Sequence, residues 1–130
     1  PKKLQFGSKI DKESSTQREE LFTVKEVISP EKLRLSNNLT VKLIGIKEDP
    51  VINGKATDFL VAKTKGKRVF LKYDSVKYDS DNNLLCYLYL ENKTFLNAHL
   101  IKNGLVQVDS LIDYKYKAKF LTLLREFNEQ

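Results

Sequence analysis

Residues 21–46, LFTVKEVISPEKLRLSNNLTVKLIGI, decide the fold, because apolar and polar residues alternate there in three short runs. Alternation with a period of two is typical of β-strands that bury one face. Ser29-Pro30 separates the first two runs and Ser36-Asn37-Asn38 the last two, and asparagine tolerates the positive φ angles of tight hairpins. The stretch predicts three consecutive antiparallel strands. Gly45, inside the third run, predicts a bend or bulge that helps to close a small barrel.

Outward from this stretch, the pattern changes between helix and strand periods. Helical spacing at Ala56, Phe59 and Leu60 stops at Gly66, which predicts a first helix. Alternating runs at residues 69–73 and 85–90 predict a fourth and a fifth strand. A short helix is expected near residues 95–104 and an amphipathic one over 114–127. The sequence therefore predicts an α+β fold, mainly β, in which about three helices accompany a five-stranded OB-fold-like barrel.

The composition limits the class of protein. The chain has 130 residues, enough for one domain with its own core. Its single cysteine, Cys86, and single histidine, His99, cannot make an internal disulfide or a structural zinc site. No apolar run approaches the roughly 18 residues of a membrane span, and the first residues do not resemble a signal peptide. We expect no membrane contact and a reducing, cytoplasmic location.

The first 20 residues differ from the rest of the sequence. Charged and small polar residues alternate there irregularly, and only Leu4, Phe6 and Ile10 are spaced as apolar anchors around Gly7. This composition predicts an N-terminal arm or linker over residues 1–20 and a barrel domain over residues 21–130. Because the sequence starts with Pro1 and contains no methionine, we also expect a processed chain or part of a longer protein.

Several spaced blocks of the sequence resemble staphylococcal-nuclease-like (thermonuclease) domains. The resemblance covers about residues 21–108 and implies the barrel fold of that family. It rests on an opening hairpin, two later strands and the exit of the second helix: Val27-Ile28, Leu33-Arg34-Leu35, Val41-Lys42-Leu43-Ile44-Gly45-Ile46, Lys67-Arg68-Val69-Phe70-Leu71-Lys72-Tyr73-Asp74, Leu85-Cys86-Tyr87-Leu88-Tyr89, Asn97, Leu100, Asn103, Gly104 and Leu105.

The resemblance does not extend to the family's chemistry. Active members hydrolyse phosphodiesters with Ca²⁺ held by aspartates of a D-G-D turn and a D-T-P-E motif, while two arginines bind the phosphate. The matching positions here are Ser29-Pro30-Glu31, Lys47-Glu48-Asp49-Pro50, Lys42 and Asn83. A hard dication needs converging carboxylate oxygens, and lysine lacks the bidentate fork of arginine. We therefore expect a degenerate active site with no catalytic residue, no metal and no cofactor.

The net charge of +6 favours a polyanionic partner. We expect a non-catalytic nucleic-acid-binding or interaction module that contacts DNA or RNA phosphates and binds more weakly as salt is added. The expected host is a larger nucleic-acid-processing protein, for example a bacterial DNA methyltransferase or restriction-modification protein. The candidate contacts are basic residues near the predicted first helix and strands, with two tyrosines interleaved with lysines: Lys42, Lys47, Lys63, Lys65, Lys67, Arg68, Lys72, Tyr114 and Tyr116.

Some of these lysines, and four other residues with reactive or aromatic side chains, have a purely structural interpretation. The lysines around Gly66 fit a solvated helix end, where cations interact favourably with the helix dipole. The side chains read as packing residues are Tyr87, Tyr89, Cys86 and His99.

Two rival functions remain open. A divergent nuclease would hold a metal between Glu31 and either Glu48 or Asp49, and would cleave nucleic acid in a metal-dependent way. A protein-interaction module would bind no nucleic acid and would use the arm at Leu4, Phe6 and Ile10 or an exposed apolar face.

Overall fold

The computed structural model describes residues 20–130 of the chain. The predicted arm lies outside these residues except for Glu20, so the arm and the domain boundary stay predictions. The described elements, in chain order, are β1 (Phe22–Ser29), β2 (Lys32–Leu35), β3 (Thr40–Leu43), β4 (Ile46–Lys47), α1 (Asn53–Thr64), β5 (Arg68–Lys72), β6 (Leu84–Leu90), α2 (Leu96–Lys102), β7 (Gln107–Val108) and α3 (Lys117–Asn128).

A closed barrel forms the centre of the molecule, with strand order β1-β2-β3-β6-β5. β1 to β3 make two antiparallel hairpins, and Asn38 has a φ of 66° in the second turn. β3 pairs in parallel with β6, while β5 pairs antiparallel with both β6 and β1 and closes the barrel. The predicted α+β class, five-stranded barrel and three helices are confirmed.

The barrel interior is filled by alternate residues of its strands. Successive strand residues point to opposite faces, so one set of side chains meets inside the barrel and the other faces outward. The interior set is almost completely buried and consists of Leu33, Leu35, Val41, Leu43, Val69, Leu71, Leu84, Cys86, Leu88 and Leu90. On the outer side of β5 and β6, Phe70 is buried beneath Tyr89, and Tyr87 is buried beneath Phe95 and Tyr116.

The chain leaves the barrel at Gly45, where one continuous apolar strand was expected. β3 ends at Leu43, Gly45 has a φ of 80°, and the chain then pairs as β4 with β7 in a separate two-stranded sheet. A φ of this sign favours glycine because a Cβ atom would clash with the backbone. The predicted bend is confirmed, and it redirects Ile46 and Lys47 away from the barrel wall.

The three helices pack on one another and on the barrel. α2 lies between β6 and α3, and α1 contacts β1. α3 begins at Lys117, so Tyr114 precedes the helix that was expected to contain it, and Leu121 is exposed while Phe120 is fully buried. Among the described residues, no helix has the length and apolar character required to cross a bilayer.

Candidate functional site

A cavity of about 460 Å³ opens beside Gly45, where β3 leaves the barrel. Its walls come from the end of β3 and β4, from the connection between β5 and β6, and from the segment before α3. The lining residues are Glu31, Lys42, Leu43, Ile44, Gly45, Ile46, Lys47, Asp74, Ser75, Val76, Tyr78, Asp79, Leu85, Asp109, Leu111, Ile112, Asp113 and Tyr114. The cavity therefore joins Glu31, Lys42 and Lys47, three positions at which the resemblance places catalytic groups.

Lys42 lies between two carboxylates in this cavity. Its Nζ atom is 3.8 Å from Oε1 of Glu31 and 3.7 Å from Oδ2 of Asp79. The ammonium is thus the cation that both carboxylates face. A lysine held in this way is less available to an incoming phosphate, because part of its field is already neutralised.

Asp79 is held by its own turn. The backbone N–H groups of Asp81 and Asn83 donate to Oδ1, and the Asn83 side chain donates to Oδ2. Burial acts to raise the pKa of Asp79, but the hydrogen bonds from Asn83 and Asp81 and the charge of Lys42 outweigh it and lower that pKa. Asn83 therefore positions a carboxylate instead of presenting a cation to phosphate.

The carboxylates proposed for a divergent metal site have other partners. Oε2 of Glu31 accepts a hydrogen bond from the backbone N–H of Glu48, and Oε1 of Glu48 accepts one from the Asn53 side chain. Asp49 accepts a hydrogen bond from the Gln107 side chain. Within residues 20–130, no three His, Cys, Asp or Glu side chains are grouped to hold a metal ion. Together with the Lys42 ammonium, this donor set does not fit the Ca²⁺ that the resemblance implies.

Asp74 closes the opposite wall of the cavity. Its Oδ2 atom accepts hydrogen bonds from the Tyr87 hydroxyl at 2.5 Å and from the backbone N–H of Lys115 at 2.7 Å. The hydrogen bond from Lys115, followed by that from Tyr87, lowers the pKa of Asp74. Burial, followed by the hydrogen bond to Asp74, raises the pKa of Tyr87. Asp74 thereby ties the end of β5 to the segment that precedes α3.

Acid should weaken the fold through these two aspartates. Both pKa values are lower in the folded chain than the value of about 3.9 for an unfolded aspartate. The two aspartates therefore contribute their full stabilisation of the fold at pH values above about 3.9. It should be lost as the pH falls through the folded-state pKa values. We expect urea midpoints to fall as the pH is lowered below about 4, and the fall to be smaller in Asp74→Asn and Asp79→Asn. An equally steep fall in both variants would contradict this assignment.

A second surface lies on the outer side of β5 and β6. Phe70 and Tyr89 stack at 5.1 Å between ring centroids, and Tyr89 and Phe95 stack at 4.6 Å. Phe95 contacts Tyr116 edge-on at 5.3 Å, which extends the row of rings to the start of α3. Tyr89 is half-buried, and burial raises its pKa to about 12, so its hydroxyl stays neutral.

Lysine side chains cover this row of rings. Lys93 lies 4.8 Å from the Phe70 centroid and Lys72 lies 5.6 Å from that of Tyr89. Lys119 lies 5.9 Å from Phe95, and Lys115 lies 5.4 Å from Tyr116. All four distances are within the range of cation–π attraction. We call this surface the lysine–aromatic face, formed by Phe70, Lys72, Tyr89, Lys93, Phe95, Lys115, Tyr116 and Lys119.

Three of these lysines keep their charge unpaired within the described chain. No carboxylate of residues 20–130 lies within 4.0 Å of the ammonium groups of Lys72, Lys115 or Lys119. Aromatic rings orient these cations without neutralising them. The face therefore presents positive charge to solvent over a hydrophobic support.

The residues that the sequence predicts to contact phosphate lie in different parts of the structure. Lys63 lies in the last turn of α1, Lys65 and Lys67 follow it, and Arg68 begins β5. Arg68 donates to both carboxylate oxygens of Glu91. Lys42 pairs with Leu85 at the start of β6, whereas Val69, the neighbour of Arg68, pairs with Leu90 at the end of β6. Five strand residues span roughly 17 Å, so these groups occupy opposite ends of the barrel.

The two nominated tyrosines also lie apart. Tyr114 lines the cavity, its hydroxyl donates to the backbone oxygen of Asp109 at 2.8 Å, and burial raises its pKa to about 12. Tyr116 belongs to the lysine–aromatic face and stacks against Phe120 at 6.1 Å. Of the nine nominated residues, only Lys72 and Tyr116 lie on that face.

The single cysteine and histidine have no partner geometry for nucleophilic chemistry within the described chain. Cys86 is a free, fully buried residue of the barrel interior, and burial raises the pKa of its thiol. Partial burial lowers the pKa of His99, and the positive charges of Lys102 and Lys63 lower it further. The interpretation of Cys86 as a core residue is confirmed.

Sequence reasoning missed Phe95, Lys93, Lys115 and Lys119. A signal existed in part: Lys115 and Lys119 are four residues apart around Tyr116, which places them near one another at a helix start. Lys93 and Phe95 flank a turn that returns to β6, and only the folded chain brings them onto Phe70 and Tyr89.

Comparison with known proteins supports the barrel fold and the range of residues that form it. A family model described as staphylococcal nuclease homologue matches residues 22–128. No curated protein matches the chain. The matched range includes every strand of the barrel and all three described helices.

Proposed function

Because the chain belongs to the staphylococcal nuclease homologue family, we propose that it is a non-catalytic module that binds nucleic-acid phosphates through its lysine–aromatic face. The observation that carries the proposal is the set of lysines held over stacked rings with no described carboxylate beside Lys72, Lys115 or Lys119. The host would be a larger nucleic-acid-processing protein, such as a bacterial DNA methyltransferase or restriction-modification protein.

The arrangement of charge favours a polyanion at this face. Phosphate contacts by lysine release counterions, which gives affinity without sequence readout. Rings beneath the lysines limit the freedom of their side chains, so less conformational entropy is lost when a phosphate binds. Lys63, Lys65 and Lys67 provide a second basic cluster at the end of α1. Arg68 contributes less because Glu91 already pairs with it.

The cavity supports the non-catalytic part of the proposal. Lys42 places a cation between Glu31 and Asp79, and Glu48 and Asp49 are held by other hydrogen-bond partners. Phosphodiester hydrolysis by a metal route needs an ion clamp and a positioned water. We therefore place nucleic-acid binding on the lysine–aromatic face and leave Lys42 and Lys47 out of it.

Fluorescence anisotropy of labelled single- and double-stranded oligonucleotides tests the proposal. Binding should weaken steeply between about 50 and about 200 mM salt. The Lys72→Gln, Lys119→Gln double variant should bind roughly tenfold more weakly, and the slope of log affinity against log salt should fall by about two. Added Ca²⁺ should change neither affinity nor oligonucleotide length on a gel.

A matched control has the same change in charge at another place. Lys55→Gln, Lys102→Gln removes two exposed lysines that lie off the face, and it should retain nearly the affinity of the unsubstituted chain. Equal losses in the two double variants would show that net charge, not this face, governs binding. Salt-insensitive binding or none would reject the nucleic-acid function, and Ca²⁺-dependent cleavage would reject its non-catalytic part.

A further inference from the structure

The cavity beside Gly45 has an apolar rim that the proposed function does not use. Val76, Tyr78, Leu111 and Ile112 line it, and all four are among the exposed large apolar residues of the described chain. Leu111 is 89% exposed. Apolar side chains gathered at the mouth of a concave site are typical of a surface that binds a partner.

The charge of this cavity is opposite to that of the chain as a whole. Five carboxylates line it against two lysines, an excess of three negative charges, whereas basic residues outnumber acidic ones in the sequence. The carboxylates are Glu31, Asp74, Asp79, Asp109 and Asp113. One of the two lysines, Lys42, already faces Glu31 and Asp79. Asp113 is exposed and forms an ion pair with Lys117, whose Nζ atom is 3.2 Å from its Oδ1 atom.

Hydrogen bonds hold three of these carboxylates, those of Asp74, Asp79 and Asp109, in position. Hydrogen bonds from Lys115 and Tyr87 hold Asp74, and those from Asn83 and Asp81 hold Asp79. Asp109 accepts a hydrogen bond from the backbone N–H of Leu111, directly at the apolar rim. Carboxylates arranged around an apolar opening repel phosphate and attract cations.

We propose that this cavity binds an extended peptide segment that inserts a large apolar side chain and sets neighbouring lysine or arginine residues against the surrounding carboxylates. The apolar side chain would fill the space between Ile112, Val76 and Tyr78. The basic residues would meet Asp109 and Asp113 on one side and Asp74 on the other. The chain would then hold two partners of opposite charge, a peptide here and a nucleic acid on the lysine–aromatic face.

A fluorescein-labelled peptide of sequence GKKLGFKKG tests this site by anisotropy on the full chain. Binding should be abolished when the apolar residues of the peptide become serine (GKKSGSKKG) or its lysines become glutamate (GEELGFEEG). The Leu111→Ser, Ile112→Ser variant should bind the peptide roughly tenfold more weakly, as should Asp109→Asn, Asp113→Asn.

The controls match exposure and charge away from the cavity. Val51→Ser replaces an apolar side chain that is also 89% exposed but does not line the cavity, and it should bind normally. Asp58→Asn removes an exposed carboxylate of α1 with the same expectation. Lys72→Gln, Lys119→Gln should leave peptide binding unchanged, so failure of this proposal and failure of the nucleic-acid proposal are distinguishable.

The same anisotropy measurement on the Leu4→Ser, Phe6→Ser variant tests whether the chain's own N-terminal segment occupies the cavity. Residues 2–10, KKLQFGSKI, lie outside the described residues but have the chemistry required of the ligand. Peptide binding seen only in this variant would support the proposal and assign the cavity to the chain's own N-terminal segment. Absence of binding in both chains, equal binding by the Leu111→Ser, Ile112→Ser variant, or displacement of the peptide from the cavity by an oligonucleotide would overturn it.

Discussion

Replacing Asn97 with alanine should lower the free energy of unfolding by about 3 kcal/mol, because three buried hydrogen bonds depend on this side chain. Oδ1 of Asn97 accepts from the backbone N–H of Leu88 at 2.9 Å. Its amide nitrogen donates to the backbone oxygens of Ile44 at 2.9 Å and Cys86 at 3.5 Å. The side chain is fully buried, so water cannot replace these bonds without entering the core.

The position of Asn97 explains the size of the effect. β3 pairs in parallel with β6 only as far as Leu43 opposite Cys86, and the chain then turns away at Gly45. Asn97, from α2, joins the backbone of the departing chain to that of β6. Alanine would leave the Leu88 N–H and the Ile44 carbonyl unsatisfied at the point where the barrel ladder is interrupted.

Urea denaturation followed by tyrosine fluorescence measures this change, since the chain has six tyrosines and no tryptophan. Asn103→Ala serves as the control. Asn103 ends the same helix and its side chain donates to the His99 backbone oxygen at 2.7 Å, but it is exposed and water can substitute. Its loss should be below about 1 kcal/mol. Similar losses for Asn97→Ala and Asn103→Ala would refute the account.

Replacing Gly45 with alanine should also have a large effect, lowering the free energy of unfolding by about 3 kcal/mol. A Cβ atom there would lie 2.7 Å from the ring of Phe120 and 2.8 Å from that of Tyr114, and Gly45 has a φ of 80°. The left-handed conformation costs about 1 to 2 kcal/mol for a side chain. Crowding of Phe120, which is fully buried, adds a cost of similar size.

Two further glycines separate these contributions in the same urea experiment. Gly66 has a φ of 68° but open space around it, so Gly66→Ala should show the conformational cost alone, about 1 kcal/mol. Gly54 has neither a positive φ nor a close neighbour and lies in α1, so Gly54→Ala should be neutral or stabilising by up to about 1 kcal/mol. Equal losses for Gly45→Ala and Gly66→Ala would show that Phe120 yields without cost.

The barrel could be predicted from sequence because its strands are short and each buries one face. Alternation at Leu33, Leu35, Val41 and Leu43 marks the interior side directly, and Asn38 marks the hairpin turn. Both signals are local: they depend on residue order and on the backbone preferences of single residues. The exits of α1 and α2 were predictable for the same reason, since Gly66 and Gly104 both have positive φ angles.

The candidate sites were less predictable, because their residues are distant in sequence. Charge runs suggested one phosphate-binding set, but closing the barrel puts Lys42 and Arg68 at opposite ends of β6. Ion pairs then determine which of these cations remain available to a phosphate. Glu31 and Asp79 face Lys42, and Glu91 pairs with Arg68, whereas Lys72 lies over Tyr89 with no described carboxylate beside it.

The sequence alone determined the α+β class and the five barrel strands, because these depend on the periodicity of apolar residues and on residue identity. Only the tertiary structure decided that Lys93, Lys115 and Lys119 join Lys72 over one row of rings, and that Asp74, Asp79 and Asp109 surround one apolar cavity. The electrostatic effect of a charged side chain depends on which groups lie within a few ångströms of it, and chain closure brings those groups together from distant parts of the sequence.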